Sequence, residues 1–190
     1  THAELLSYWF SDRARPLWFE SDESFDQDLR LRFGETLSAA AGGELDGWAD
    51  ETDSCLALII LLDQLTRNLH RGRPRAFEND RRAAVLAETA VARGFDQRVA
   101  LDRRLFFYMP FQHSEDLAVQ RRSLELCQRW SDEFHDGGEA EAEAKDQMIY
   151  VRRHLEIIER FGRFPHRNAV LGRESTTEEI AFLAEPISSF

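Results

Sequence analysis

The sequence predicts an all-α protein of about eight helices, and three observations lead to that conclusion. Apolar residues recur at the three- and four-residue steps of a helix along almost the whole chain. Glycine or proline interrupts these periodic segments at spacings typical of helix lengths. No segment alternates apolar and polar residues as a half-buried strand does. We expect the helices to pair as antiparallel hairpins joined by short loops.

The first two helices are predicted from the spacing of leucine and aromatic residues. A short helix covers residues 3–10, and Arg15-Pro16 interrupts the chain soon after it. A longer helix covers about 24–41 and ends at Gly42-Gly43. A stripe at four-residue steps gives this helix its apolar face, and it consists of Phe25, Leu29, Phe33 and Leu37.

The third helix is predicted to be the central, buried one. It begins at a cap supplied by Asp53 or Ser54 and runs to about Leu69. Apolar residues leave it almost no polar face: Leu56, Leu58, Ile59, Ile60, Leu61, Leu62 and Leu65. Residues 71–74 then interrupt the chain.

Five further helices complete the prediction. Pro110 should end the second of them, Ser114 should cap the third, and Gly162 should end the fourth. Ser175 and Thr176 carry the capping-box spacing that opens the last. The five cover residues 79–93, 101–109, 114–134, 139–161 and 175–184.

Length and charge limit the organisation and the partners of the chain. Its 190 residues suit a single α-helical domain over 1–190. The net charge of −11 disfavours nucleic acid and anionic membranes as partners. No signal peptide or membrane-length apolar run is present, so we expect a cytoplasmic protein. Cys55 and Cys127 lie in apolar segments and are expected to be reduced core residues.

Polar residues gather in three places, each at a helix end: residues 63–72, 108–116 and 160–168. The planar guanidinium of arginine can bind a carboxylate or a phosphate, and histidine can transfer a proton. A carboxylate can orient an arginine or a histidine side chain. In the first place, helical spacing puts Asp63, Arg67 and His70 on one stripe, and Gln64, Asn68 and Arg71 on the next. The predicted ligand-binding residues are Asp63, Arg67, Asn68, Tyr108, His113, Glu115, Asp116, Arg163, His166, Arg167 and Asn168.

Three functions remain open on these residues. The first is a domain that binds a small anionic ligand or a peptide. The second is a small-molecule hydrolase, in which His113 and His166 act as acid and base while Arg67, Arg163 and Arg167 hold an anionic group. The third is a scaffolding fold in which the polar residues form a purely structural network. We expect no cofactor and no metal site, and either a monomer or a homodimer.

Three motifs resemble a known family. They are Asp63-Gln64-Leu65-Thr66-Arg67-Asn68, His113-Ser114-Glu115-Asp116 after Tyr108-Met109-Pro110, and Phe161-Gly162-Arg163-Phe164-Pro165-His166-Arg167-Asn168. The chain thereby resembles bacterial domain-of-unknown-function family 924 over essentially its whole length. Leu65-Thr66 departs from the family pattern, in which an aromatic residue and a proline are expected. The resemblance implies a tetratricopeptide-like arrangement of helical hairpins and attaches no catalytic role to any residue.

Overall fold

A computed structural model describes residues 1–135 and 137–189, and within them the chain forms eight helices and no strand. The predicted all-α fold is therefore confirmed, while the tetratricopeptide-like arrangement stays a prediction. In chain order the helices are α1 (His2–Trp9), α2 (Glu23–Ala41), α3 (52–69), α4 (Asp80–Ala92), α5 (Leu101–Gln112), α6 (Leu117–Asp132), α7 (Glu139–Phe161) and α8 (Thr177–Phe182).

The chain divides into two compact units, residues 1–110 and 111–190. The first unit is built around α3, which packs against α1, α2 and α4. Every residue from 54 to 66 is buried, as the continuous apolar run predicts. The single domain expected over 1–190 stays a prediction.

Helix α3 is continuous but not uniform. Its α-helical start, Thr52–Ile60, passes into a π-helical segment, Leu61–Leu65, and a last α-helical turn, Thr66–Leu69. Neither Asp53 nor Ser54 caps it, because the helix begins before them at Thr52. The Ser54 hydroxyl instead donates to the Trp48 carbonyl over 2.8 Å.

Helix α5 passes through Pro110 and ends at Gln112, so the expected end at residue 109 is wrong. Proline fixes φ near the helical value and removes only one backbone N–H from the ladder. Burial of Phe107 and Phe111 on the same helix favours its continuation. The next helix also begins later than predicted, because Asp116 and not Ser114 is its cap.

The second unit is built on a helical hairpin of α6 and α7. Arg152 donates to Gln128 over 2.6 Å, and Arg121 lies 3.4 Å from Glu159. From Arg121 to Gln128 along α6 the partner in α7 moves back from Glu159 to Arg152, so the two helices are antiparallel, as predicted. A small core of Ile157, Ile158, Phe164 and Phe182 lies beside α7.

Gly162 ends α7 as the sequence predicts. Its φ of +68° is a left-handed conformation that costs glycine little, and its N–H closes the last turn on Ile158 over 2.9 Å. The chain therefore turns sharply from α7 into the segment 163–176, which precedes α8 and is called here the Phe164 loop. Thr176 and Glu179 form the predicted capping box at the start of α8.

Both cysteines lie in helices and are buried, as expected for core residues. Burial raises the pKa of the Cys55 thiol to about 11 and that of Cys127 to about 12. Both thiols are therefore protonated at neutral pH. Among the helices that the structure describes, none is long and apolar enough to cross a bilayer.

Candidate functional site

In the first unit, Arg67 is held between two carboxylates. Its Nη2 lies 2.7 Å from Asp80 Oδ1 and 3.6 Å from Asp63 Oδ1. Asp63 is only 1% exposed, and Gln64 Nε2 donates to its other oxygen over 2.5 Å. The ring of Phe77 lies under the guanidinium, with 5.5 Å between the ring centroid and Cζ. These contacts make Arg67 part of an ion-pair network that holds α3 to α4.

Two residues of the second predicted stripe, Asn68 and Arg71, share a partner, Asp26 of α2. Asn68 Nδ2 donates to Asp26 Oδ1 over 2.7 Å. Arg71 donates to both carboxylate oxygens, from Nε over 2.9 Å and from Nη2 over 3.1 Å. Helical spacing therefore identified two residues that act together. What they do in the structure is fasten the end of α3 to α2.

Tyr108 lies inside α5. Its ring is buried, and its hydroxyl donates to Asp96 Oδ2 over 2.6 Å. Asp96 is itself only 3% exposed and also accepts from Gln97 over 2.8 Å. The phenol therefore finds its acceptor within the first unit, whereas Oδ1 of Asp96 is buried without a hydrogen-bond partner among the residues that the structure describes.

In the second unit, the two carboxylates that precede α6 have different structural roles. Asp116 caps α6, because its Oδ1 accepts from the backbone N–H of Ala118 over 2.8 Å and of Val119 over 3.2 Å. Glu115 accepts from the Phe164 N–H over 2.8 Å and from both terminal nitrogens of Arg173 over 2.8 and 3.0 Å.

Glu115 therefore ties the Phe164 loop to the start of α6. Burial alone would raise the pKa of Glu115, but the bonds from Arg173 and the Phe164 N–H together outweigh it, and the pKa is lowered. Arg173 also donates to the Phe164 carbonyl over 3.1 Å, so both backbone polar groups of Phe164 are held.

A second ion pair fixes the Phe164 loop to α8. Arg163 donates to Glu179 through Nε over 2.6 Å and through Nη2 over 2.8 Å, and Glu179 is only 2% exposed. The bonds from Arg163 lower the pKa of Glu179 to about 2. Asn168 donates to the Ser175 hydroxyl over 3.0 Å, which closes the loop on itself. Arg163 and Asn168 therefore shape the loop.

The remaining predicted residues of this unit converge on the buried ring of Phe164. The guanidinium of Arg167 lies 4.5 Å over that ring, and the ring of His166 lies 5.5 Å from it. His154 of α7 lies 5.5 Å from the same ring, and His113 lies 6.1 Å beyond His154. His113, His154, His166 and Arg167 are called here the histidine cluster.

His154 is a member of this cluster that the sequence analysis missed. Burial, followed by the nearby His113, Arg167 and His166, lowers the pKa of His154 to about 3. Its Nδ1 lies 2.7 Å from the Tyr150 carbonyl, which only accepts, so Nδ1 carries the hydrogen of a neutral ring. Its signal in the sequence was a histidine on the apolar stripe of α7, between Val151 and Ile158.

Exposure separates the members of the histidine cluster. His154 is 5% and Arg167 is 6% exposed, whereas His113 and His166 are only half-buried. The two histidines that the sequence analysis proposed for proton transfer are therefore partly exposed to solvent. Within residues 1–135 and 137–189, no group of three or more His, Cys, Asp or Glu side chains has a geometry that could hold a metal ion.

Comparison with known proteins agrees with the resemblance of the three motifs. A family described as "Bacterial protein of unknown function (DUF924)" matches residues 5–187. The chain is also similar to the solved structure of the protein of unknown function ATU0120 from Agrobacterium tumefaciens. The two share 40% sequence identity over 97% of each chain, with a TM-score of 0.86. No curated protein matches the chain.

Proposed function

For this chain, which belongs to the DUF924 family of bacterial proteins, we propose a function in binding a small anion at the histidine cluster. One observation carries the proposal: His166 and Arg167 lie against the ring of Phe164, and His113 lies beside His154, which contacts the same ring, although these residues are up to 54 positions apart in sequence. Guanidinium and imidazole groups are the side chains that most often hold carboxylate, sulfate or phosphate oxygens.

The way the Phe164 loop is held supports this assignment. Phe164 donates its backbone N–H to Glu115 and accepts a bond from Arg173 at its carbonyl, and the pair of Arg163 and Glu179 fixes the residue before it. His166 and Arg167 follow in a short 3-10 turn, Pro165–Arg167. A binding group on a fixed loop loses little entropy when its ligand arrives, which favours affinity.

The same geometry favours binding over the hydrolase hypothesis. That hypothesis needs Arg67 and Arg163 to hold the substrate, and each is bound to carboxylates. Arg67, Asn68 and the two carboxylates beside Arg67 fit the purely structural reading instead. Of the predicted residues, His113, His166 and Arg167 are the ones to which we assign the ligand.

Thermal unfolding of the whole chain with sulfate, phosphate or citrate tests this function. A ligand at about ten times its Kd stabilises the folded chain by about 1.4 kcal/mol, which raises Tm by about 4 °C for a protein of this size. We expect His166→Gln and Arg167→Lys to reduce this rise, because the first removes the imidazole and the second removes the planar fork.

Matched controls are His135→Gln and Arg129→Lys, which change exposed residues of the same unit outside the histidine cluster. They should leave the rise in Tm as it is in the unmodified chain. If no anion at millimolar concentration raises Tm, or if the control variants lower the rise as much as the cluster variants do, the proposed function is wrong.

A further inference from the structure

A turn rich in arginine follows α3 in the first unit, and residues 70–75 are called here the basic turn. Residues 66–75 include four arginines and His70 but no aspartate or glutamate, in a chain whose net charge is −11. Backbone bonds hold the turn, because the Arg73 N–H donates to the His70 carbonyl over 2.9 Å and the N–H of buried Ala76 donates to the Arg73 carbonyl over 3.0 Å. The backbone is therefore fixed, while the three arginines of the turn are exposed.

Two arginines of the basic turn are paired with carboxylates to different degrees. Arg71 donates to both oxygens of Asp26, as described above. The pair of Arg75 and Glu78 is looser, because Nε lies 3.4 Å from each carboxylate oxygen and both side chains are exposed. An exposed pair of this kind is weak, so a carboxylate from outside the chain can replace Glu78 at little cost.

Two further arginines carry charges that no carboxylate of the described residues compensates. Within residues 1–135 and 137–189, the side chain of Arg73 makes neither an ion pair nor a hydrogen bond. Arg30 of α2 donates to the carbonyl of Leu69, the last residue of α3, and it makes no ion pair within the same part of the chain. Positive charge from two elements therefore meets where α3 ends.

The pKa of His70 shows that these charges act on one place. Burial is the main cause that lowers this pKa, and the charge of Arg75 is the next, partly offset by Glu78. The charges of Arg30 and Arg73 lower it further. The end of α3 is therefore a region of positive potential, formed jointly by α2 and the basic turn.

An exposed aromatic ring lies next in the chain to a residue that contacts this turn. Phe19 is 53% exposed, and its ring centroid lies 6.3 Å from that of Trp18. Trp18 is itself fixed, because its Nε1 donates to the Trp9 carbonyl over 2.8 Å. The carbonyl of Glu20 accepts from Arg71 Nη2 over 3.4 Å. A supported apolar ring therefore accompanies the arginines.

We propose that the basic turn, together with Arg30 and Phe19, binds an acidic segment of a partner protein that carries a large apolar side chain. The arginines bind carboxylates of the segment, and Phe19 packs against its apolar side chain. Arginine and aromatic side chains are enriched at protein interfaces, whereas a small anion makes no use of an apolar ring. The surface lies in the first unit and involves no residue of the histidine cluster.

The net charge of the chain also favours a short acidic segment over other polyanions. At physiological salt, charges are screened beyond about 8 Å, so a short segment senses mainly the arginines that it touches. A long nucleic acid or an anionic membrane would extend over the rest of the surface, where the net charge of −11 opposes it.

Fluorescence anisotropy of a labelled peptide titrated with the whole chain tests this inference. The probe is a fluorescein-labelled peptide of about eight residues, glutamate throughout except for one central leucine. One matched peptide has glutamine in place of glutamate, and the other has serine in place of leucine. We expect saturable binding of the probe that weakens as salt is raised, no binding of the glutamine peptide, and about fivefold weaker binding of the serine peptide.

Variants of the chain locate the surface. The double variant Arg73→Gln/Arg75→Gln and the single variant Phe19→Ala should each weaken binding of the probe about fivefold. Matched controls are Arg81→Gln and Val85→Ala, which change an exposed arginine and an exposed apolar residue of α4 in the same unit. The controls should bind the probe as the unmodified chain does. All these side chains are exposed, so the variants should fold, and thermal unfolding checks that they do.

Several outcomes would overturn the inference. One is the absence of saturable binding at chain concentrations up to about 1 mM. Another is a control variant that weakens binding as much as the basic-turn variants do. Displacement of the probe by oligouridylate, or by vesicles of equimolar phosphatidylcholine and phosphatidylserine, at a lower concentration of charge than the unlabelled peptide needs would exclude a protein partner. None of these outcomes bears on anion binding at the histidine cluster, which lies in the second unit.

Discussion

The polar cluster around Arg67 and the histidine cluster contain similar residue types but are built differently. Arg67 has a carboxylate on either side, and Asp63 beside it is almost fully buried. The histidine cluster gathers groups that carry or accept positive charge, and two of its rings are half-buried. The comparison teaches that a conspicuous set of Arg, His and Asp can be either a fastening of the fold or a place for a ligand.

The local structure explains this difference. The cluster around Arg67 lies on the central helix α3, whose residues pack against neighbouring helices on most sides. The histidine cluster depends on the Phe164 loop, which begins where Gly162 turns the chain away from α7. In this loop the ring of His166 is half-buried, whereas Arg167 is buried beside Phe164.

The most severe test of this comparison is Arg67→Met. The substitution leaves Asp63 buried without its cation, and breaking a buried ion pair in this way costs about 3 kcal/mol. Urea unfolding at pH 7 measures that loss in the free energy of unfolding. Arg81→Met, an exposed arginine on α4, is the control and should change it by less than about 0.5 kcal/mol. Equal effects of the two variants would mean that the network around Arg67 does not stabilise the fold.

His154→Leu tests the buried histidine of the histidine cluster through the pH dependence of stability. The pKa of His154 is about 3 in the folded chain against 6.5 for an ordinary histidine, so the unfolded chain binds the proton more tightly. The contribution of neutral His154 to the free energy of unfolding is therefore complete above about pH 6.5, and it is lost as the pH falls towards 3. The loss is at most about 1.4 kcal/mol per pH unit.

Urea unfolding between pH 7 and 4 measures this slope. His154→Leu should be less sensitive to acid than the unmodified chain by about that amount, whereas His135→Gln, at an exposed position, should not be. Parallel pH profiles of His154→Leu and the unmodified chain would contradict a neutral, buried His154.

Asp116→Ala gives the smallest effect and separates structure from binding within the second unit. Loss of the cap of α6 should lower the free energy of unfolding by about 1 kcal/mol, because two backbone N–H groups lose their acceptor. Asp116→Asn keeps a capping oxygen and should cost much less. Neither change should alter the affinity for sulfate. A loss of affinity in Asp116→Asn would show that the carboxylate belongs to the ligand site.

Much of the fold follows from local pattern. The apolar run of α3 predicts its burial, and the spacing of Asn68 and Arg71 predicts that they share a face. Their common partner, Asp26, is 42 residues earlier in the chain, and only the packing of α2 on α3 selects it. The predicted end of α5 before Pro110 is wrong for a similar reason. Proline tends to end an isolated helix, but the burial of Phe107 and Phe111 favours continuation of α5.

The candidate site was only half predictable. His113, His166 and Arg167 were identified by residue type and by their position at helix ends. Their positions depend on how α6 packs against α7 and on the direction that the chain takes after Gly162. His154 was overlooked, because a single histidine on an apolar stripe resembles an ordinary core residue. Its importance comes from its neighbours, which are distant in sequence.

The π-helical segment of α3 has a consequence for how this protein tolerates change in length. Each residue of an α-helix advances the angle around the axis by about 100°, and a π turn holds one residue more than an α turn. Deleting one residue from 61–65 would turn the wide turn into an ordinary α turn and leave the following residues facing nearly the same direction. Arg67 would then still face Asp80, and Asn68 would still face Asp26. The wide turn absorbs one residue, so a one-residue gap placed here shortens the chain without redirecting either side chain.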